Sequence, residues 1–329
     1  MAPKKRPPPT DAGALLDLWR SMLLVRHSEQ ALVRLFADGE VPGFIHLSIG
    51  QEAVSAGVCS ALLPQDTLAT NHRGHGHVLA RGMDLDGFFK EIMGRAGGLC
   101  QGRGGSMHVA DLRLGILGAN GIVGAGIPIA LGSALAHAVR RNQGVAVAFF
   151  GDGAMAEGVL HETLNMAALW KAPLLLVCEN NGWSEFSPTE RQFGARLDAL
   201  AAAFGIAYRR CDGNEVLAVA EATRGAAAAA RAGQGPQVLE CITHRVRGHY
   251  EGDPQKYREA AEIEGLPAHD PLAKARAALL AAGLSEDRLR EETEAVQQRV
   301  EAAVAAARAD TLPVWEAALA DVYTPEAQA

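Results

Sequence analysis

Two short motifs hold the residue types best suited to chemistry. Gly151-Asp152-Gly153 and Asn180-Asn181 lie 26 residues apart. One carboxylate, one amide oxygen and a nearby backbone carbonyl are hard oxygen donors. They suit a magnesium ion that also takes phosphate oxygens and water. Glycines on both sides of Asp152 let backbone amides approach a phosphate, and a helix following them would point its positive end there. Either motif alone reads as a routine turn. At the ends of successive strands, a helix-length apart, the pair is far more specific.

The elements that must position these motifs are legible around them. Residues 145–150 (VAVAFF) and 174–178 (LLLVC) are short apolar runs, as expected of strands covered on both faces. A helix from about Met155 to Trp170 joins them, and Lys171-Ala172-Pro173 ends it. Residues 206–211 and 237–243 read as two further strands, with an alanine-rich helix over 215–232 between them. This alternation predicts an α/β fold with a mostly parallel sheet and right-handed crossovers. Such sheets bind ligands at the carboxyl ends of their strands, where Asp152 and Asn181 are expected. Upstream, residues 11–38 have helical spacing and stop at Gly39. Residues 41–50 read as loop, and 51–63 as helix. A glycine- and histidine-rich segment follows at 71–82. Residues 94–132 then hold about a third of the chain's 36 glycines. Residues 271–323 predict two or three helices, their alanine content reflecting helix propensity rather than a repeat.

Composition narrows the function. A formal charge of −7 gives no electrostatic case for nucleic acid, and no apolar run nears the length of a membrane span. Residues 1–10 (MAPKKRPPPT) read as a disordered tail rather than a signal peptide. The five cysteines are odd in number, scattered and without a CxxC pair, which suits a reducing cytoplasm better than a disulfide framework or a cysteine zinc site. His72, His75 and His77 have spacing that could ligate zinc, although Arg73 among them argues for phosphate instead. A nucleotide-binding module is a further alternative. Gly121, Gly124 and Gly126 read most simply as small residues opening a close-packed helix at 127–140. A dinucleotide loop is disfavoured because no strand is expected directly before them.

Longer stretches carry a resemblance. GFIHLSIGQEA, HRGHGH, GGSMH, NGIVGAGIP, GDGAMAEGVLHETLNMAALWKAP, CENNGW and RGHYEGDPQKYR lie between residues 17 and 258. In these the chain resembles the α subunit of the thiamine-diphosphate-dependent first component of 2-oxoacid dehydrogenase complexes, pyruvate and acetoin types above all. The resemblance implies a thiamine-diphosphate-binding fold with helical N- and C-terminal extensions: a tail at 1–10, an α/β domain binding the diphosphate over 11–265, and a helical extension over 266–329. It implies that Asp152, the Asn181 side chain and the Trp183 carbonyl hold Mg2+. Gly153 and Ala154 would offer amides to the diphosphate, and Arg73 a fixed cation. His72 stands where mitochondrial relatives have tyrosine, and a histidine there could make cofactor affinity depend on pH. Gly121 and Val123 would hold the aminopyrimidine ring and bend the cofactor, bringing its amino group beside the carbon to be deprotonated. His249, in a segment too charged for a core, and His46 would face the reacting carbon and substrate.

The carboxylate needed to ionise the cofactor has no evident source in this chain, and the family draws it from a β subunit. A heterotetramer of two α and two β chains is therefore expected. It would form hydroxyethyl-thiamine diphosphate and pass the acyl group to a lipoyl-bearing acyltransferase in a bacterial cytoplasm. Pyruvate and acetoin leave the same two-carbon fragment, so the machinery serves either; residues 183–189 (WSEFSPT) and the His249-Tyr250 loop lean toward acetoin. A branched-chain 2-oxoacid is the third option. Mitochondrial relatives carry a phosphorylatable serine where this chain has Tyr250, which argues against kinase control there.

Overall fold

The computed structural model describes residues 11–316; the expected tail at 1–10 and residues 317–329 lie outside it. Its strands are β1 (Thr67–Ala69), β2 (Ile116–Gly118), β3 (Ala146–Gly151), β4 (Leu174–Asn180), the short pair β5 (Trp183–Ser184) and β6 (Ser187–Pro188), β7 (Ala207–Asp212) and β8 (Gln237–Ile242). Its α-helices are α1 (Ala12–Ala37), α2 (Glu52–Ser60), α3 (His75–Ala80), α4 (Leu85–Ile92), α5 (Gly126–Arg140), α6 (Gly158–Trp170), α7 (Leu197–Ala203), α8 (Val216–Arg231), α9 (Ala260–Gly265), α10 (Pro271–Ala281) and α11 (Glu286–Ala309).

Six strands form one sheet in the order β2-β1-β3-β4-β8-β7, every pairing parallel. The fold class is thus the α/β arrangement that alternating apolar runs and helices dictate. β3 and β4 are buried along nearly their whole length, because helices cover both faces. Edge strand β7 alternates between exposed and half-buried residues.

One apolar core lies on one face of the sheet. There Val147, Phe149, Leu175 and Val177 meet Leu32, Leu35, Phe88, Phe89 and, from α11, Val300 and Val304. On the other face Ala148, Phe150, Leu174 and Leu176 meet Ile127, Leu131, Leu160 and Leu164. A third cluster joins Leu15, Trp19 and Met22 of α1 to Leu279, Leu289 and Val296 of α10 and α11. Each such side chain contributes about 1.5–3 kcal/mol by leaving water. The C-terminal helices therefore pack into the same body as the sheet. Among the described residues no helix is long and apolar enough to cross a membrane.

The register explains why the site can form. Gly151 pairs with Glu179, Asn180 with Ile242, Ala148 with Ala69, and Ala69 with Gly118. The segments after β2, β1, β3, β4 and β8 consequently leave the sheet along one edge.

Three expectations need correction. Two three-residue strands, β1 and β2, were not foreseen. β2 ends just before Asn120 and Gly121, so the absence of a strand is no argument about those glycines. β4 also runs on through Asn180, which closes the strand instead of following it. Finally, the helix expected from about Met155 to Trp170 forms as α6, but its first residues instead belong to a 3-10 turn over Asp152–Ala156. An extended Glu157 (φ −77°, ψ 133°) interrupts it before α6 starts at Gly158. The amides nearest Asp152 thus belong to a tight turn, not to the first turn of a long helix.

Candidate active site

The strand edge closes over a single cleft. All eleven residues that the resemblance assigns to the site line it: His46, His72, Arg73, Gly121, Val123, Asp152, Gly153, Ala154, Asn181, Trp183 and His249, whereas Asn180 of the opening motif does not. Arg73 and His72 come after β1, Gly121 and Val123 after β2, and Asp152 to Ala154 after β3. Asn181 and Trp183 follow β4, and His249 follows β8. His46 arrives from the loop between α1 and α2.

Asp152 is 2% exposed. Burial pushes its carboxyl pKa up, while the Thr189 hydroxyl, which donates to Oδ2, and the backbone amides of Asp152 and Asn181 pull it down. The net shift is upward, so within the chain the carboxylate is undercompensated. Asn181 Nδ2 donates to Gln51 Oε1 (3.0 Å), which turns its oxygen toward the following loop, where it accepts the Trp183 amide at 3.1 Å. Gly153 makes a close approach: a Cβ there would stand 2.5 Å from Ser184 Oγ on β5, so the serine side chain would have to shift.

Two buried guanidinium groups line the same cleft, and the charge of Arg245 acts on Asp152. Arg73 donates to the carbonyls of Leu47 (2.6 Å) and His249 (3.0 Å). Arg245 is 1% exposed and donates to the Glu185 carbonyl (3.1 Å) and the Tyr257 hydroxyl (2.8 Å). The Arg245 Nε has no partner. Both groups are hydrogen-bonded only to neutral partners. Burial, followed by the neighbouring Arg245, lowers Arg73 to about 9; burial also lowers Arg245. Buried cations without a carboxylate bonded to them are costly unless an anion joins them.

Above them three imidazoles pack edge to face or tilted. Ring centroids are 4.8 Å apart for His46 and His72, 5.0 Å for His46 and His249, and 5.5 Å for His72 and His249. Burial first, then the charge of Arg73, lowers His46 to about 3 and His249 to about 4, and takes His72 well below its usual value. All three are neutral at physiological pH, so a pH effect exerted through His72 belongs to acid solution. Arg245 Nη1 lies 3.3 Å from His249 Nδ1. Because a guanidinium only donates, Nδ1 accepts and the neutral ring carries its proton on Nε2.

The zinc alternative fails on geometry. His75 binds Glu29 and Ser106 through its two ring nitrogens, and His77 lies between Thr70 and Glu179, while His72 faces the cleft. Among the described residues no group of three or more His, Cys, Asp or Glu side chains could hold a metal by itself. The segment around His249, expected to be too charged for a core, is mostly half-buried or exposed, with Arg245 its one buried charged side chain.

Sequence reasoning missed Gln51, Thr189, Glu179 and Arg245. The signal available for Arg245 was its place three residues past Ile242, the end of β8, at the edge already known to carry the site.

The model of the family described as "Dehydrogenase E1 component" matches residues 20–315, reaching beyond the quoted motifs into the C-terminal helices. The chain is 43% identical over 312 residues to the α subunit of acetoin:2,6-dichlorophenolindophenol oxidoreductase of Bacillus subtilis, covering 94% of this chain and 93% of that protein. It is 42% identical to the subunit of the same name from Cupriavidus necator, covering 96% of each. The pyruvate dehydrogenase E1 component subunit alpha of Zymomonas mobilis is 40% identical, covering 95% of this chain and 88% of its own. With these matches spanning nearly its whole length, the chain belongs to the dehydrogenase E1 component family.

Proposed function

We propose that the chain is the α subunit of an acetoin-type dehydrogenase, acting with a β subunit and delivering an acyl group to a lipoyl-bearing acyltransferase in the cytoplasm. Family membership implies thiamine diphosphate as cofactor. The observation that carries the reading is the mixed charge of the cleft: two buried guanidiniums hydrogen-bonded only to neutral groups, with an undercompensated buried carboxylate, Asp152, and a second buried carboxylate, Glu179, lining the same cleft. That set fits a diphosphate with a divalent cation, the cation reaching full coordination only with phosphate oxygens and water.

In this reading Asp152, Asn181 Oδ1 and the Trp183 carbonyl hold Mg2+. The Gly153 and Ala154 amides, Arg73 and His72 meet the diphosphate. Gly121 and Val123 would hold the pyrimidine end of the cofactor. The bound cofactor supplies an electron sink for breaking a carbon–carbon bond next to a carbonyl. The chain's own residues orient it, exclude water and manage protons. His249, with its proton on Nε2, is placed to donate to a developing alkoxide, and neutral His46 beside it adds no charge that would trap an anionic substrate.

Acetoin is preferred over pyruvate on two grounds. The 43% and 42% identical relatives carry acetoin in their names. Near His249 lie exposed aromatic side chains, with Phe186 half-exposed 6.0 Å from the His249 ring and Phe44 against Tyr250. Pyruvate is the second reading, favoured by the Zymomonas relative. Co-expression with the β subunit and measurement of artificial-acceptor reduction separates them: acetoin turned over well above pyruvate and branched-chain 2-oxoacids supports the first, and the reverse order the second.

A further inference from the structure

The glycine-rich segment after α4 is built around one buried side chain. Glu91 has no solvent exposure. Its Oε2 accepts the amides of Cys100 (2.7 Å) and Gly102 (2.9 Å), and its Oε1 those of Gly104 (2.7 Å) and Gly105 (3.1 Å). Four backbone donors converging on two oxygens use the full acceptor capacity of a carboxylate, and an amide side chain would set its own N–H groups against two of them. The glycines make the wrapping possible. A Cβ on Gly98 would lie 2.7 Å from the Glu91 Cα, and one on Gly102 (φ +73°) 2.7 Å from the Arg95 carbonyl oxygen.

The far end of this loop is also pinned. Ser106 Oγ lies 2.8 Å from His75 Nε2, and His75 Nδ1 lies 3.0 Å from Glu29, itself fully buried. The next residue, Met107, lines the cleft, its Sδ 3.5 Å from where a Gly121 Cβ would be. The loop thus runs from a carboxylate clamp to the cleft wall opposite Gly121.

We propose that Glu91 is a positioning residue for cofactor binding: by moulding residues 100–105 it sets Met107 against Gly121 and fixes the width of that end of the cleft. This rests on the thiamine-diphosphate reading above. The four side-chain hydrogen bonds of Glu91 go to the loop, not to cleft-lining residues, and it acts through that loop.

The test uses the full chain co-purified with its β subunit. Amide hydrogen exchange over residues 98–106 and thiamine diphosphate titration in magnesium are measured for wild type, Glu91→Gln, Met107→Ala and Asp152→Asn. Glu91→Gln is expected to speed exchange across the loop and to weaken cofactor binding by about tenfold or more, with kcat at saturating cofactor nearly unchanged. Met107→Ala should weaken binding with the loop still protected, and it carries the test if Glu91→Gln does not fold. Asp152→Asn should weaken binding without changing loop exchange. Cofactor affinity unchanged in Glu91→Gln despite a loosened loop, or unchanged in Met107→Ala, overturns the proposal. Wild-type protein that takes up no thiamine diphosphate overturns the underlying reading instead, and is distinguished by failing before any variant is compared.

Discussion

His46 and His249 meet edge to face with their ring centroids 5.0 Å apart, although one comes from the loop before α2 and the other from the segment after β8. With His72 they form a neutral aromatic roof over two buried guanidiniums. The three rings add no charge of their own beside those guanidiniums.

That neutrality has a consequence for stability. Below its usual value of 6.5 each histidine takes up a proton in the unfolded chain, whereas in the fold His249 resists down to about 4 and His46 to about 3. The unfolded state therefore binds more protons in that window, and stability falls as pH drops from 6.5 toward 4. Replacing His46 and His249 together by glutamine should flatten that acid limb, as read from urea-melt midpoints at pH 7, 6, 5 and 4.

Gly153 and Ser184 test the close approach of the Asp152 turn to β5. Gly153→Ala should weaken cofactor binding, because its methyl group would stand 2.5 Å from Ser184 Oγ. Adding Ser184→Gly should restore most of the loss. A coupling of about 0.5–3 kcal/mol in the four-way comparison is the expected signature of direct contact; simple additivity would contradict it.

Asp66 holds the sheet edge together. It accepts the Val145 amide (2.8 Å) and the Leu63 amide (2.8 Å) and receives the Arg231 fork at 2.9 and 2.7 Å, with no exposure of its own side chain. Asp66→Ala leaves two amides unpartnered and the guanidinium with only the Gln143 carbonyl, and should cost about 3–5 kcal/mol. Denaturant unfolding measures it.

Arg245 shows where the sequence ran out. Its neighbours look like a charged surface loop, and only the β8 register reveals that the side chain points into the cleft, toward Tyr257 and His249. Arg245→Met keeps the bulk and removes the charge, and should weaken thiamine diphosphate binding more than it lowers thermal stability.

Other parts were legible for plain physical reasons. Residues 145–150 and 174–178 are apolar runs that only a sheet covered on both faces would bury. β1 and β2 were not, because three residues carry no periodicity; they are strands only by pairing with each other and β3. The 3-10 turn at Asp152 was hidden for a similar reason. Its sequence reads as the start of α6, and it is the extended Glu157 that separates the two. Side chains that work through a partner, such as Gln51 on Asn181 and Thr189 on Asp152, have no signature until the fold brings them together.

The central claim is that Asp152 and the guanidiniums make a joint site for a divalent cation and a diphosphate. Calorimetric titration of the co-purified assembly with thiamine diphosphate, with and without magnesium, tests it most directly. Tight binding that requires magnesium and is largely lost in Asp152→Asn is the predicted result. Binding equally strong without the metal, or unchanged in the variant, would contradict it.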